Sequence, residues 1–426
     1  MKQYFPSATI LRDIFQQYLR KDEIAVENQN LFRKIQPLGK CALLDSERLF
    51  GRSRCAEEAI SAGKVGIVIL AGGMGSRLGA VMPKGTFPVT PVREKSLFQV
   101  HFEKIRVLRE RYKSPLRTYI MTNPDSDALT RDFLRENDFF GLPEEDVFLF
   151  SQGVMPALSP QDGSLFFLSD GRIYCGPDGH GGLITALENT DAGADMRLHG
   201  ITTINTFHID NPLVPILNEE MLAEHLHTGS EMSSVVVEKV DGMELVGNVV
   251  YEDVSKTAMR VVEYMDFPGE YAMKTDPDAG GLRFWAGSIG IHLIQLDFLE
   301  EMARKIRENP GFLPFHLPLK KIQTQDGPEW GIKPERFIFD ILPLAKTPTV
   351  IRAVNRDEVF ITLKQSAIPV REHLSELYAS WLRRAGATLP ENAQVEIAPD
   401  FALDFATLRE KIPAGMIFAE EEVYLE

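Results

Sequence analysis

The chain has 426 residues, is 44% hydrophobic and carries a formal net charge of −15. That length supports one large core with accessory parts, and the acidic balance argues against nucleic acid as a partner. No apolar run reaches membrane-spanning length, the first residues lack a signal-peptide core, and Cys41, Cys55 and Cys175 suggest neither a disulfide framework nor a zinc site, so a chain without a membrane partner in the reducing cytoplasm is expected.

In chain order, Ser7 is placed to cap an amphipathic helix over residues 7–20, with Ile10, Ile14 and Tyr18 beside Leu11, Phe15 and Leu19. Residues 1–60 therefore read as a mostly helical N-terminal region. From Val65 strands and helices alternate. Val65–Leu70, Thr118–Thr122, Val147–Phe150 and Ile201–Ile209 are short apolar or β-branched runs, which predict strands. Ser96 heads a helix carrying Phe98, Phe102, Ile105 and Leu108, and Ser126 heads another with Leu129 and Phe133. This alternation predicts an α/β fold, a mostly parallel sheet flanked by helices, over residues 61–345. Within that span, Ser233–Val240, Gly247–Tyr251 and Arg260–Tyr264 predict a small antiparallel patch, and Asp297 and Pro334 are expected to open helices. Residues 346–426 predict a small α+β region: a strand, a helix with Leu374, Leu377, Tyr378 and Trp381, and a solvated acidic end at Glu420–Glu422.

The first predicted strand runs into Leu70-Ala71-Gly72-Gly73-Met74-Gly75-Ser76-Arg77-Leu78-Gly79, followed by Pro83-Lys84-Gly85. Open α/β sheets bind ligands where such strands end. Gly72, Gly73 and Gly75 permit a sharp turn with amides close to an anion, and Arg77 and Lys84 add two cations. The spacing fits neither a Walker A loop, whose lysine precedes Ser or Thr, nor a dinucleotide fingerprint, because Leu78 stands where a glycine is required. A polyphosphate remains the expected ligand.

The same residues resemble the signature of the nucleotide-sugar pyrophosphorylases. Further blocks, in the family's order from about residue 60 to 365, are similar to its eukaryotic-type UDP-N-acetylhexosamine and UDP-sugar branch. They are Gln152-Gly153-Val154-Met155-Pro156-Ala157, Pro177-Asp178-Gly179-His180-Gly181-Gly182, Ile209-Asp210-Asn211, Val261-Val262-Glu263-Tyr264, Phe284-Trp285-Ala286-Gly287-Ser288-Ile289, His316-Leu317-Pro318-Leu319-Lys320-Lys321-Ile322, Phe339-Asp340-Ile341 with Lys346, and Leu363-Lys364.

The resemblance implies a Rossmann-like, glycosyltransferase-A-like fold and a uridylyltransferase that forms UDP-sugar and pyrophosphate from UTP and a sugar 1-phosphate. It implies UTP contacts from Leu70, Ala71, Gly72, Gly73, Gly75, Gln152 and Gly179, and sugar contacts from His180, Glu263, Gly287 and Ser288. Mg²⁺ falls to Asp210, since that ion takes one or two carboxylates plus phosphate oxygens. Arg77 and Lys84 would grip phosphates. Among the late lysines Lys364 and Lys321 lead, with Lys320 and Lys346 as further phosphate candidates. Where the family has asparagines this chain has His180, Trp285 and Ser288, and Trp285 offers a ring to stack on a pyranose or to pack in the core. The blocks favour N-acetylglucosamine 1-phosphate, whereas the three replacements pull toward glucose or a broader hexose range. A non-catalytic nucleotide-sugar sensor and, more distantly, an NAD-dependent oxidoreductase are the competing classes.

Overall fold

Six consecutive buried residues, Val65–Leu70, are too apolar for a strand with a wet face, and they lie inside a sheet covered on both sides. The computed structural model describes residues 6–426 except 76–78, 80, 81, 278 and 279, so Arg77 lies outside the described residues. The strands used below are β1 (Ala42–Leu44), β2 (Val65–Leu70), β3 (Thr118–Thr122), β4 (Val147–Ser151), β5 (Thr203–His208), β6 (Met232–Glu238), β7 (Gly247–Tyr251), β8 (Met259–Val262), β9 (Ala286–Gln295) and β10 (Thr349–Ala353). The main path of the sheet runs β1-β10-β6-β9-β5-β2-β3-β4. Along it β9 is antiparallel to both neighbours, and every other pairing is parallel. Seven strands thus share one direction, and their C-terminal ends form a single edge. At the start of β9 this edge is extended by β7, which pairs with Gly287 and Ser288 and carries β8 alongside.

Helices cover both faces. The predicted Ser96 helix spans Leu97–Tyr112, and the Ser96 hydroxyl accepts from the Gln99 N–H at 3.1 Å. Its Phe98, Phe102, Ile105 and Leu108 enter one core, which also takes Leu374, Trp381 and Leu382 of the Ile368–Arg384 helix. The opposite core is capped by the helices Gly182–Asn189 and Leu296–Glu308. No helix among the described residues is long and apolar enough to cross a membrane.

Several elements differ from expectation. The segment expected as part of an antiparallel patch, Ser233–Val240, is instead β6 of the central sheet, parallel to β10. Its run of buried residues, Met232 to Val237, suits a strand covered on both faces. The helix expected at Asp297 starts at Leu296, with Asp297 in its first turn paired to Arg197. Around Ile338–Leu344 a 3₁₀ turn replaces the expected α-helix, consistent with Pro343 inside it. Beyond the acidic stretch, Glu422–Leu425 pairs in parallel with Gln394–Ile397.

Candidate active site

The glycine-rich turn leaves β2 at the C-terminal edge and folds back on itself. The Gly75 N–H donates to the Met82 carbonyl at 2.8 Å, and the Lys84 N–H to that of Gly73 at 3.0 Å. The Ala71 N–H donates to Met121 at 2.8 Å, while the Leu70 carbonyl accepts from Ile209 at 3.1 Å. The Gly75 amide, expected at the phosphate, is therefore spent within the turn, and these bonds tie the Ala71 amide and the Leu70 carbonyl, both expected at UTP, to neighbouring segments. Among the described residues, the N–H groups of Gly72 and Gly73 make no internal hydrogen bond. Gly72 is required by contact, since a Cβ there would lie 2.3 Å from Gln152 Oε1, whereas Gly73 faces open space.

β5 is the neighbour of β2, and it delivers Asp210 to the same edge. Lys84 Nζ lies 2.8 Å from Asp210 Oδ2, each side chain about one-fifth exposed. Asn211 is spent locally: its Oδ1 accepts from the Leu213 N–H at 3.0 Å and its Nδ2 donates to Val359 O at 2.8 Å. The Asp210 carbonyl accepts from the Leu363 N–H at 2.9 Å, which brings the neighbouring Lys364 to the site. A cleft opens here, lined by Asp210, Lys364, His180, Glu263, Ser288 and Phe339 among others. The described residues hold no cluster of three metal-ligating side chains. One carboxylate beside unbonded amides and lysines fits Mg²⁺ shared with substrate phosphates better than a closed protein cage.

Electrostatics within the cleft are uneven. Burial pushes the Glu263 carboxyl up to about 7, helped by Asp266 and Asp340 and opposed by His316. Burial also works against charge on His316. Its 2.9 Å hydrogen bond to Asp340, with Asp266 and Glu263 near, nevertheless raises its pKa. His180 behaves oppositely: burial, then His208, His292 and His316, hold it well below the ordinary imidazole value. Its Nδ1 accepts from the Ile338 N–H at 3.1 Å, so the neutral ring carries its proton on Nε2. The ring stacks on Phe337 with centroids 4.9 Å apart and planes 11° from parallel, and meets His208 edge-on at 4.9 Å. The flanking glycines thus wedge His180 in place rather than expose it. Gly179 has φ +87°, and a Cβ there would lie 2.3 Å from the Arg336 carbonyl.

Gln152 sits one residue beyond β4 and donates from Nε2 to Asp178 Oδ1 and to the Gly179 carbonyl, both at 2.9 Å. Two acceptors fix the amide's orientation and leave Oε1 as the group available to an N–H of a base. Burial lifts the Asp178 carboxyl to about 6, opposed by Gln152 and by Arg336.

Other expected residues are not brought together here. Trp285 does not line the cleft: its Nε1 donates to Leu38 O at 3.2 Å and its ring packs in the second core under Arg352. Gly287 faces Val246 and Lys239 beneath the cleft wall. Lys321 lies over Trp330 on an exposed hairpin, and Lys320 pairs with Glu335 at 2.7 Å. Lys346 precedes β10 and pairs with Glu231 at 3.3 Å, at the opposite sheet edge. Parallel strand direction puts it at least a strand length from Asp210 along the sheet. Conversely, His292 was missed. It lines the cleft with Nδ1 2.8 Å from Ser234 Oγ, and nothing in its strand sequence separates it from a core histidine. His208 had a signal, because period two places it on the same side of its strand as Asp210.

Residues 9–309 match the family described as UTP--glucose-1-phosphate uridylyltransferase. The chain is 31% identical over 365 residues to UDP-N-acetylglucosamine diphosphorylase 2 of Arabidopsis thaliana, covering 80% of this chain and 72% of that one. It is 31% identical over 396 residues to UDP-N-acetylglucosamine pyrophosphorylase of Saccharomyces cerevisiae, covering 88% and 80%. Its fold is similar to that of uridine diphosphate N-acetylglucosamine pyrophosphorylase from Trypanosoma brucei, crystallised with an inhibitor. The TM-score is 0.81 at 23% identity, over 97% of this chain and 89% of that one. The protein belongs to the UTP–glucose-1-phosphate uridylyltransferase family and is a nucleotidyltransferase.

Proposed function

We propose that this enzyme transfers the uridylyl group of UTP to N-acetylglucosamine 1-phosphate. The observation that carries the reading is the meeting of Lys84, Asp210 and the open amides of Gly72 and Gly73 at the mouth of a cleft lined by Lys364, Glu263 and Ser288. A phosphate oxygen of the sugar phosphate attacks the α-phosphorus of UTP, and the bond from that phosphorus to the bridging oxygen breaks. Pyrophosphate leaves with the electron pair. The attacking oxygen is already ionised near neutral pH, so no protein nucleophile is needed and the chain's task is placement and charge stabilisation.

Gly72 and Gly73 amides with Lys84 grip the triphosphate, Arg77 joins them by its sequence position, and Gln152 Oε1 accepts from the uracil imide beside Gly179. Lys364 meets the sugar phosphate, and Glu263 accepts from sugar hydroxyls, with His180 Nε2–H and Ser288 as donors nearby. Mg²⁺ held by Asp210 would neutralise charge developing on the phosphates. For the acetamido sugar, support comes from relatives named for UDP-N-acetylglucosamine and from an apolar wall of Val246, Val261 and Ile289 against which a methyl group can pack. Glucose 1-phosphate is the second reading, favoured by Ser288 and His180 in place of the family's asparagines.

A panel of sugar 1-phosphates with UTP, read as phosphate after added inorganic pyrophosphatase, tests this. N-acetylglucosamine 1-phosphate should exceed glucose 1-phosphate by about 10-fold or more in kcat/KM, the scale of one well-packed apolar group. Equal or reversed values would overturn the assignment of the sugar.

A further inference from the structure

The turn that carries Asp210 is followed by Pro212-Leu213-Val214-Pro215, whose two prolines have no N–H to offer and whose carbonyls must find donors elsewhere. The Val214 and Pro215 carbonyls accept from the Ile216 and Asn218 N–H groups at 3.0 and 3.2 Å, and a further donor, to Pro212 and Val214, comes from one face of the Leu97–Tyr112 helix. Lys104 Nζ donates to Pro212 O at 2.6 Å and to Val214 O at 3.3 Å. Three residues earlier, one turn away, His101 Nε2 donates to Ile209 O at 3.0 Å. Carbonyls 209, 212 and 214 bracket Asp210, so the helix grips the turn on both sides of the carboxylate. Among the described residues Lys104 has no carboxylate partner. A half-buried lysine set on carbonyl oxygens alone carries a desolvation cost that a leucine at the same position would not. Simple packing therefore does not account for it.

We propose that Lys104 is a positioning residue: by holding the Pro212 and Val214 carbonyls, with His101 on Ile209, it sets the Asp210 carboxylate where it meets both Lys84 and the phosphate-bound metal. This rests on the reading of Asp210 as the Mg²⁺ ligand. Groups that orient a ligand in this way are felt in metal affinity as well as in rate.

The test compares Lys104→Met, Lys104→Arg, His101→Leu, Asp210→Asn and the unrelated Arg117→Met, which breaks a pair with Asp195 at the far edge of the sheet. Mn²⁺ binding in the presence of UTP is read by electron paramagnetic resonance, alongside kcat and KM. In Lys104→Met, Mn²⁺ affinity and kcat should each fall about 10- to 100-fold while KM for the sugar phosphate stays within about 2-fold; Lys104→Arg should recover most of the loss. Arg117→Met should lose stability alone. A folded Lys104→Met with parental Mn²⁺ affinity and kcat overturns the proposal. If that variant does not fold, a folded His101→Leu with parental Mn²⁺ affinity does so. Asp210→Asn separates the two levels: undiminished Mn²⁺ affinity there sinks the ligand assignment itself, whereas its loss beside a normal Lys104→Met sinks only the positioning role.

Discussion

Lys84 and Asp210 hold each other at 2.8 Å across the residues that separate β2 from β5 in sequence, and both are only about one-fifth exposed. In the proposed mechanism, a cation kept this close to the glycine-rich turn stabilises charge that develops as pyrophosphate departs. Lys84→Ala should lower kcat by about 10²- to 10³-fold, the range for loss of one charge-stabilising group. Steady-state pyrophosphate release checks this, and near-parental turnover would remove Lys84 from the chemistry. Glu263 gives a pH-dependent expectation. Its carboxyl titrates at about 7 in the folded protein against an ordinary 4.5, so the folded state retains a proton that the unfolded chain has lost. Stability therefore falls as pH rises from about 4.5 to 7, and the full cost is present above 7. Glu263→Gln, which cannot ionise, should melt at a higher temperature than the parent at pH 8, with the gap narrowing toward pH 5. A gap that widens on acidification would reverse this reading of the buried carboxyl.

At the scale of elements, the 178–182 turn shows how glycines serve the site. Gly179, Gly181 and Gly182 let the turn press against 336–338 and Asp178, which seats His180 between Phe337 and His208. Gly179→Ala meets both a φ of +87° and the Arg336 carbonyl 2.3 Å away. The conformational part alone costs about 1–3 kcal/mol. Chemical denaturation should register at least that loss, and the KM for UTP should rise as the turn shifts off Gln152. The glycine pattern made this turn legible in the sequence, because backbone conformation is a local property. Its packing was not legible: the ring that fixes His180 comes from Phe337, far along the chain, and no local pattern announces that partner.

Across the whole molecule, the site edge is held by segments remote in sequence. Glu358 is buried, and it accepts from Ser46 Oγ at 2.8 Å, Trp381 Nε1 at 3.2 Å and Arg384 at 3.3 Å. It therefore ties the N-terminal connection and the C-terminal helix to the segment leading to Lys364. Glu358→Ala leaves the buried Ser46 hydroxyl and Trp381 indole N–H without their acceptor, while Arg384 keeps Glu47, and should destabilise by about 2–4 kcal/mol, since buried unsatisfied polar groups carry their full desolvation penalty. Equilibrium unfolding in urea measures it; a change under 1 kcal/mol would show that the tie is dispensable.

The sequence alone determined the glycine-rich turn, the strand–helix alternation and the aspartate beyond β5, because each is written within a few residues as glycine spacing, hydrophobic period or a strand terminus. Only the tertiary structure decided which lysines share the site. Lys346 and Lys364 lie at opposite ends of β10, and the parallel direction of that strand sends one to the far edge and the other to Asp210. It likewise turned Trp285 into the core and gave Gly75 an internal partner. Strand direction and burial arise from contacts between distant segments, so no local pattern of residues encodes them.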